Sequence, residues 1–210
     1  MSAHLVWDWN GTLLDDLRLV VDATNACLAT VHAGPVTADE HRRDFRRPIS
    51  TYYSHVLGRP VSSAEFARMD AAFHAAYRAG LANCGLRPDA LAAMDAWSGT
   101  QSLLSMWFHD ELVALVEEYD LTGRFARVDG LRSATGGGPK ADHLVAHLSS
   151  LDLAGADAVL IGDSVDDADA AVAVGARCVL FAGGFTDAER LRETGMPVAE
   201  TLDEAVKLAA

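Results

Sequence analysis

Hydrophobic and polar positions along this chain follow two different patterns, and the change between them divides the chain into regions. After a short apolar run at residues 3–7, residues 16–97 repeat apolar side chains at the spacing of an amphipathic helix. Two such series are Leu17, Val20, Val21, Thr24 and Leu28, and then Phe66, Met69, Phe73 and Tyr77. Glycine and proline clusters at residues 34–35, 58–60 and 85–88 divide this region into several helices.

From residue 98 onward, short apolar runs alternate with amphipathic segments. The pattern predicts strands at 3–7, 101–106, 126–129, 158–161 and 177–181, and helices at 110–119, 140–151 and 167–174. Strands that alternate with helices form parallel sheets covered on both faces. The expected fold class is therefore α/β, with a doubly wound parallel sheet and an inserted helical region.

Composition excludes several classes of function. The chain has 210 residues, half of them hydrophobic, and a formal net charge of -13. Binding to nucleic acid or an anionic membrane needs a basic surface, so neither is expected as a partner. No apolar run is long enough to cross a membrane. Three cysteines, odd in number and far apart, fit a reducing compartment, and we expect a cytoplasmic protein without a signal peptide.

Acidic residues follow two of the predicted strands. Asp8 comes directly after the first apolar run, and Asp163 follows the run at 158–161, with Asp167 four residues further on. Ser105 is expected at the end of a third strand. Ligands of parallel sheets bind at the carboxyl ends of strands, so these side chains should meet at one edge. Carboxylate oxygens are the ligands that Mg²⁺ prefers.

These segments resemble the motifs of haloacid-dehalogenase-like (HAD) hydrolases. Residues 8–13, Asp-Trp-Asn-Gly-Thr-Leu, resemble the first motif, Asp-x-Asp-Gly-Thr-Leu, and residues 162–167 match the fourth, Gly-Asp-Ser/Thr-x-x-Asp. Ser105 resembles the serine of the second motif. Lys140 follows the glycine-rich residues 136–138 and resembles the lysine of the third. The resemblance implies a Rossmann-like core from residues 1–15 and 98–210, and an α-helical cap of the C1 type from residues 16–97.

The resemblance also implies a mechanism, phosphoryl transfer through an aspartyl-phosphate on Asp8. Mg²⁺ would be held by Asp8, Asp163 and the backbone carbonyl of Asn10, with Asp167 ordering a water ligand. Lys140 would be catalytic and would stabilise the charge of the phosphoryl group. The implied phosphate-binding residues of the first two motifs are Gly11, Thr12, Ser105 and Trp107.

Asn10 departs from the family pattern. In HAD phosphatases an aspartate at this position protonates the leaving group and then activates water, and an amide does neither. Loss of general acid–base catalysis lowers a rate by roughly 10²–10⁴. Two functions therefore stay open. One is a Mg²⁺-dependent phosphatase of a small phosphorylated metabolite, such as a phosphoglycolate-like ester; the other is a catalytically impaired protein that binds phosphorylated ligands or regulates.

Two further reaction classes within the family fit this sequence poorly. A phosphonate-cleaving enzyme also lacks the second aspartate of the first motif, but its chemistry needs a cap lysine, and residues 16–97 contain none. A dehalogenase needs no metal site, whereas the fourth motif here is intact.

An arginine cluster at residues 42–47 stands out in this acidic chain. Guanidinium groups bind carboxylates and phosphates in a bidentate way, so Arg46 and Arg47 are candidates to bind a second anionic group of the substrate. The alternative is a solvated helix face. His109 is a further candidate proton donor. Tyr52 and Tyr53 are candidates to line the same cleft, although packing in a core is the expected role.

Overall fold

A single parallel sheet organises the protein. The computed structural model describes residues 3–132 and 138–210, so Gly136 and Gly137 of the glycine-rich loop lie outside the described residues. Six strands pair in the order β3-β2-β1-β4-β5-β6, all parallel. They are β1 (His4–Trp7), β2 (Gln101–Phe108), β3 (Val128–Leu131), β4 (Ala158–Gly162), β5 (Arg177–Phe181) and β6 (Val198–Ala199). The order reverses at β1, as in Rossmann-like folds, and the predicted fold class is confirmed.

Helices cover both faces of this sheet. Along β1, Leu5 and Trp7 pack into one core, while Val6 between them packs into the other, because neighbouring side chains of a strand point to opposite faces. Helices α5 (Ala90–Ala96), α6 (His109–Glu118) and α10 (Leu202–Ala209) contribute to the first core. Helices α7 (Lys140–Ser149), α8 (Val165–Val174) and α9 (Ala188–Glu193) contribute to the second.

The chain between β1 and β2 is helical. It contains α1 (Leu17–Ala29), α2 (Ala38–Asp44), α3 (Ile49–Leu57) and α4 (Ser63–Gly80), followed by α5. The helices α1, α3 and α4 share a core of their own around Tyr52, Tyr53 and Met69. None of the helices in the described residues combines the length and the apolar character needed to cross a membrane.

The two connections to this helical segment run side by side. The backbone N–H of Asp15 donates to the carbonyl of Gly85 at 2.9 Å, and the N–H of Arg87 donates to Leu13 at 2.8 Å. Helix α5 comes after this crossing and packs against α10. The division into a core and a cap at residues 16–97 stays a prediction.

Strand β2 is longer than predicted, so the expectation that Ser105 ends a strand is wrong. The strand continues to Phe108, and its register against β3 shifts between Leu104 and Phe108. The aromatic residues Trp107 and Phe108 explain the extension, because they pack against α4. The ring centroids of Trp107 and Tyr77 lie 4.7 Å apart. Because Trp7 pairs with Leu103, Ser105 lies two residues beyond the end of β1, beside the turn that contains Asn10.

A buried hydrogen-bond network lies at the opposite, amino end of the sheet. His147 Nε2 lies 2.7 Å from Ser102 Oγ, and His147 Nδ1 lies 2.8 Å from Asp129 Oδ2. Serine, histidine and aspartate in this order are typical of nucleophilic catalysis. Ser102 and His147 are completely buried, however, so a substrate cannot reach the serine. The network instead fastens α7 to β2 and β3.

Candidate active site

Three carboxylates meet at the carboxyl end of the sheet. Asp8 follows β1, Asp163 follows the adjacent strand β4, and Asp167 lies in the first turn of α8. One oxygen from each lies within 4.8 Å of the others. All three residues are buried, with 6%, 2% and 1% of their surface exposed. The pairing of β1 with β4 thus brings together two segments that are about 150 residues apart in sequence.

A single buried ammonium group links two of these carboxylates. Lys140 Nζ lies 2.5 Å from Asp8 Oδ1 and 2.5 Å from Asp167 Oδ1. Burial alone would lower the pKa of Lys140, but the charges of Asp167 and Asp8 outweigh it and raise the pKa above its usual value. Lys140 is therefore protonated. It compensates one of three negative charges.

Burial and the uncompensated negative charge raise the pKa values of Asp8 and Asp163. Burial raises the pKa of Asp8 to about 6, although the charge of Lys140 acts in the opposite direction. Burial, and then the charges of Asp8 and Asp167, raise the pKa of Asp163 well above its usual value. Buried carboxylates that are not paired are unfavourable unless they are protonated or bind a cation. A divalent cation would balance the two excess charges, and hard oxygen donors at this spacing suit Mg²⁺.

The turn after β1 holds Asp163 against Asp8. Thr12 Oγ1 lies 3.3 Å from Asp8 Oδ2 and 3.5 Å from Asp163 Oδ1. The backbone N–H of Phe185 donates to Asp163 Oδ2 at 2.5 Å. Gly11 has a φ of +77°, and a Cβ atom there would collide with the Asp163 carboxylate. Only glycine satisfies both the left-handed backbone and this close approach.

Asn10 is fixed in one orientation by three neighbours. Its Nδ2 donates to Asp16 Oδ2 at 3.0 Å and to the hydroxyl of Tyr77 at 2.9 Å. Its Oδ1 accepts a hydrogen bond from Ser105 Oγ at 3.1 Å. Ser105 Oγ in turn accepts from the backbone N–H of Trp107 at 3.0 Å. Ser105 and Trp107, the residues expected to bind phosphate, thus hold Asn10, the first through its hydroxyl group and the second through the hydrogen bond of its backbone N–H to Ser105.

Asp16 is the residue of this site that the sequence did not reveal. It is completely buried, accepts from the N–H of Gly11 at 2.7 Å, and accepts from Tyr77 at 2.6 Å. Burial raises the pKa of Asp16 to about 6, against the opposing effect of its hydrogen bonds from Tyr77 and Asn10. The only signal in the sequence is a second aspartate after Asp15, which also fits a helix start. Its partners Asn10 and Tyr77 are visible only in the fold.

The amide of Asn10 and the carboxylate of Asp16 form a complementary pair. An aspartate at position 10 would place two carboxylates in hydrogen-bonding contact in a buried site. Asparagine is therefore the more favourable residue at position 10, because its amide donates a hydrogen bond to the Asp16 carboxylate.

The arginine cluster does not act as one unit. Arg42 donates to the carbonyls of Gly184 and Gly183, each at 2.9 Å, and so joins α2 to the loop that contacts Asp163. Arg43 pairs with Asp44, and Arg46 donates to the carbonyl of Asp44 at 2.8 Å. Only Arg47 of the four lines the cleft around Asp8.

Arg47 is itself engaged in this cleft. Its Nε lies 3.5 Å from Asp166 Oδ2, and both residues line the cleft with Lys140. The structure thus brings Arg47 to the carboxylates and leaves Arg46 outside the cleft lining. His109 also lies outside it, with its Nδ1 accepting from the N–H of Gly130 at 3.2 Å.

Exchanging the two side chains tests the complementarity of Asn10 and Asp16. We expect Asn10→Asp to lower the free energy of unfolding by about 1–3 kcal/mol at neutral pH, because two buried carboxylates would then be in contact with no donor between them. The pKa of Asp16 is already raised to about 6, so protonation below that pH supplies the missing donor. The loss should therefore shrink as the pH falls from 6 towards 4.

The matched control is the double variant Asn10→Asp/Asp16→Asn, which restores one amide and one carboxylate. Denaturant unfolding should show that it regains most of the lost stability. A double variant that is less stable than Asn10→Asp alone would contradict the pairing.

Comparisons with known proteins agree with this architecture. A protein-family model described as HAD-hydrolase-like matches residues 136–205, the segment that carries Lys140, Asp163 and Asp167. No curated protein has a significantly similar sequence.

Solved structures match the whole fold. A haloacid dehalogenase-like hydrolase, SP0104 from Streptococcus pneumoniae, is 17% identical, with a TM-score of 0.83 over 98% of this chain and 97% of that chain. A predicted phosphatase from Clostridium acetobutylicum is also 17% identical, with a TM-score of 0.84 over 99% and 97% of the two chains. A predicted phosphoglycolate phosphatase from Haemophilus somnus 129PT is 15% identical, with a TM-score of 0.77 over 100% and 98%.

These identities are low enough that the structural matches show a shared fold and nothing finer. The family model adds a sequence match over the segment that supplies the lysine and two of the three carboxylates. Residues 136–205 thus match a HAD-hydrolase-like family model in sequence, and the whole chain has the same fold as solved structures named as haloacid dehalogenase-like hydrolases and phosphatases.

Proposed function

We propose that the protein is a Mg²⁺-dependent phosphatase that hydrolyses a small phosphate monoester through an aspartyl-phosphate on Asp8. The observation that carries this proposal is the cleft in which Asp8 lies beside Lys140, Asp163 and Asp167. A carboxylate nucleophile, a fixed ammonium group and a cation site are the parts that phosphoryl transfer requires. The HAD-like fold and its phosphatase-named neighbours support the same reaction class.

The residues around Asp8 would hold the metal ion, attack the phosphorus atom or stabilise the transferred group. Asp8, Asp163 and the backbone at position 10 would hold Mg²⁺, with Asp167 close by, and the ion would offset repulsion between the carboxylates and the anionic substrate. Asp8 attacks the phosphorus atom with one carboxylate oxygen. Lys140 and Thr12 stabilise the charge on the transferred group. Lys140 also keeps Asp8 ionised for attack.

Asn10 leaves the first step without a proton donor. Its amide donates to Asp16 and Tyr77 and does not lose a proton, so the leaving group departs with the electron pair of the broken bond. The second step, attack of water on the aspartyl-phosphate, also lacks the base that this position supplies in HAD phosphatases. Substrates with good leaving groups should therefore react best, and the phosphorylated enzyme should accumulate.

A binding or regulatory protein without turnover is the second candidate function. The observation that favours it is the fixed amide of Asn10 at the position of the catalytic acid. Phosphate release from a panel of monoesters, measured with Mg²⁺ and with EDTA, separates the two functions. Mg²⁺-dependent turnover supports the phosphatase. Binding of the same esters without release of phosphate supports the alternative.

Replacement of the nucleophile gives the first prediction of this proposal. Asp8→Asn should lower the rate of phosphate release by roughly 10⁴–10⁶-fold, because an amide does not form the covalent intermediate. Asp22→Asn, on the exposed face of α1, is a matched control purified in the same way and should retain activity. Circular dichroism checks that both variants are folded. Equal activity of the two variants would remove the aspartyl-phosphate mechanism.

The time course of product release gives the second prediction. Rapid mixing should show a burst of about one alcohol per enzyme, followed by slow turnover, because hydrolysis of the intermediate lacks a base. The exchange variant Asn10→Asp/Asp16→Asn should speed the slow phase, by at most roughly 10²–10⁴-fold. Peptide mapping must accompany the assay, because an Asn-Gly sequence such as Asn10-Gly11 can deamidate to aspartate.

A linear time course, with equal rates for good and poor leaving groups, would contradict this prediction. Another acid would then carry the proton. Asp166, whose pKa is raised by burial and which lines the cleft, would be the first to replace.

A further inference from the structure

A second cavity lies directly beside the cleft that contains Asp8. It has a volume of about 220 Å³ and lies between the helical segment and the end of β2. Asn10, Phe45, Arg47, Met106 and Phe185 line both the cleft and this cavity. The two spaces are therefore adjacent and share the part of their walls that contains Asn10.

Phenylalanine, tyrosine and tryptophan rings form a large part of the cavity wall. Tyr77 stacks on Phe73 at 5.9 Å and lies 4.7 Å from the ring of Trp107. On the other side, Phe45 packs edge-to-face on Phe185 at 5.8 Å. Rings arranged in this way offer faces and edges to another ring. A cavity of roughly 150 Å³ lined by apolar side chains accommodates benzene, so about 220 Å³ is enough for one ring with a small substituent.

The charges around the cavity disfavour a second anionic group. Arg47 is the one arginine or lysine among the lining residues, and it faces Asp166 at 3.5 Å. Burial, and then the charge of Arg42, lower the pKa of His41 to about 4, so this histidine is neutral. His74 Nε2 lies 3.4 Å from Asp70 Oδ1. A carboxylate in this space would be buried without a free cation, which is unfavourable.

The lack of a proton donor at position 10 also favours a substrate with an aromatic leaving group. Phenolates are much better leaving groups than alkoxides. Hydrolysis of an aryl phosphate therefore depends less on an acid at position 10 than hydrolysis of an alkyl phosphate does. The chemistry of Asn10 and the composition of the aromatic wall thus both favour an aromatic leaving group.

We infer that this cavity binds the leaving group of the substrate, and that the substrate is a phosphate monoester of a phenol with one ring. The inference rests on the proposed function. An oxygen of Asp8 forms a bond to phosphorus while the phosphorus–oxygen bond to the ring breaks, and the phenolate takes the electron pair and later a proton from water. Water then hydrolyses the aspartyl-phosphate and releases inorganic phosphate. A phosphoglycolate-like substrate, with its carboxylate, fits the cavity less well.

Paired esters separate binding of the ring from the quality of the leaving group. Benzyl phosphate and ethyl phosphate both release aliphatic alcohols, but only benzyl phosphate carries a ring. Burial of one ring should raise kcat/KM for benzyl phosphate about 10- to 100-fold over ethyl phosphate. Phenyl phosphate, which adds the better leaving group, should react faster still. 2-Phosphoglycolate should be the poorest of the four.

A cavity-filling variant tests where the ring binds. Ser50 lines the cavity on α3, and the adjacent Thr51 is exposed. Ser50→Phe should lower the benzyl-to-ethyl ratio of kcat/KM at least roughly tenfold. Thr51→Phe, the same change on the same helix, should leave the ratio and the activity unchanged.

Binding of phenol itself gives a readout that does not depend on catalysis. Phenol in the cavity should quench tryptophan fluorescence, because Trp107 lies in the wall. Ser50→Phe should weaken this binding and Thr51→Phe should not. Circular dichroism and the unfolding midpoint check that Ser50→Phe is folded.

The outcomes distinguish the inference from the function on which it rests. Phenol binding that Ser50→Phe weakens, without phosphate release from any ester, would overturn the proposed function and leave the aromatic site standing. Turnover that prefers 2-phosphoglycolate or ethyl phosphate, with no phenol binding, would overturn the inference and leave the phosphatase standing. A ratio that Ser50→Phe and Thr51→Phe change equally would also overturn it.

Discussion

The buried ion pairs of Lys140 are the interaction on which the site depends. Three carboxylates converge at the ends of β1 and β4, and without Lys140 they would repel one another in a buried site. The lysine bridges Asp8 and Asp167 from the start of α7. It removes one charge and leaves two, which defines a place for a divalent cation. Removing one partner of such a buried pair strongly destabilises a protein.

A second buried network connects the helical segment to the catalytic turn. Tyr77 on α4 donates to Asp16, and Asp16 holds both the N–H of Gly11 and the amide of Asn10. The ring of Tyr77 is at the same time part of the aromatic cavity wall. The position of α4 therefore affects both the shape of the cavity and the orientation of the residue that replaces the usual acid.

The loop after β5 makes a similar connection from the other side. Gly183 and Gly184 accept hydrogen bonds from Arg42, and the following Phe185 donates to Asp163. Phe185 also lines the cleft and the cavity. Contacts from α2 and α4 thus reach Asp163 and Asn10 separately. A movement of the helical segment would change the surroundings of Asp163 and Asn10 and the shape of the aromatic cavity together.

The sequence by itself determined the parallel sheet and the helical segment after β1, and it identified Asp8, Lys140, Asp163 and Asp167 as residues that should lie close together. These features are local: the two- and 3.6-residue periods identify strands and helices, and each motif is contiguous. The sequence also identified Asn10 as the residue that departs from the motif of HAD phosphatases, which have an aspartate at this position. The sequence did not separate Arg47 from Arg46, because both lie in one short basic run.

Only the tertiary structure decided what surrounds those residues. Asp16 meets Asn10 across the turn, Tyr77 reaches both from α4, and Trp107 extends β2 by packing on that helix. The cavity wall combines rings from α3, α4, β2 and the loop after β5. Such contacts join residues that are distant in sequence, and no local period or motif encodes them. Their formation depends on how the helical segment packs over the sheet.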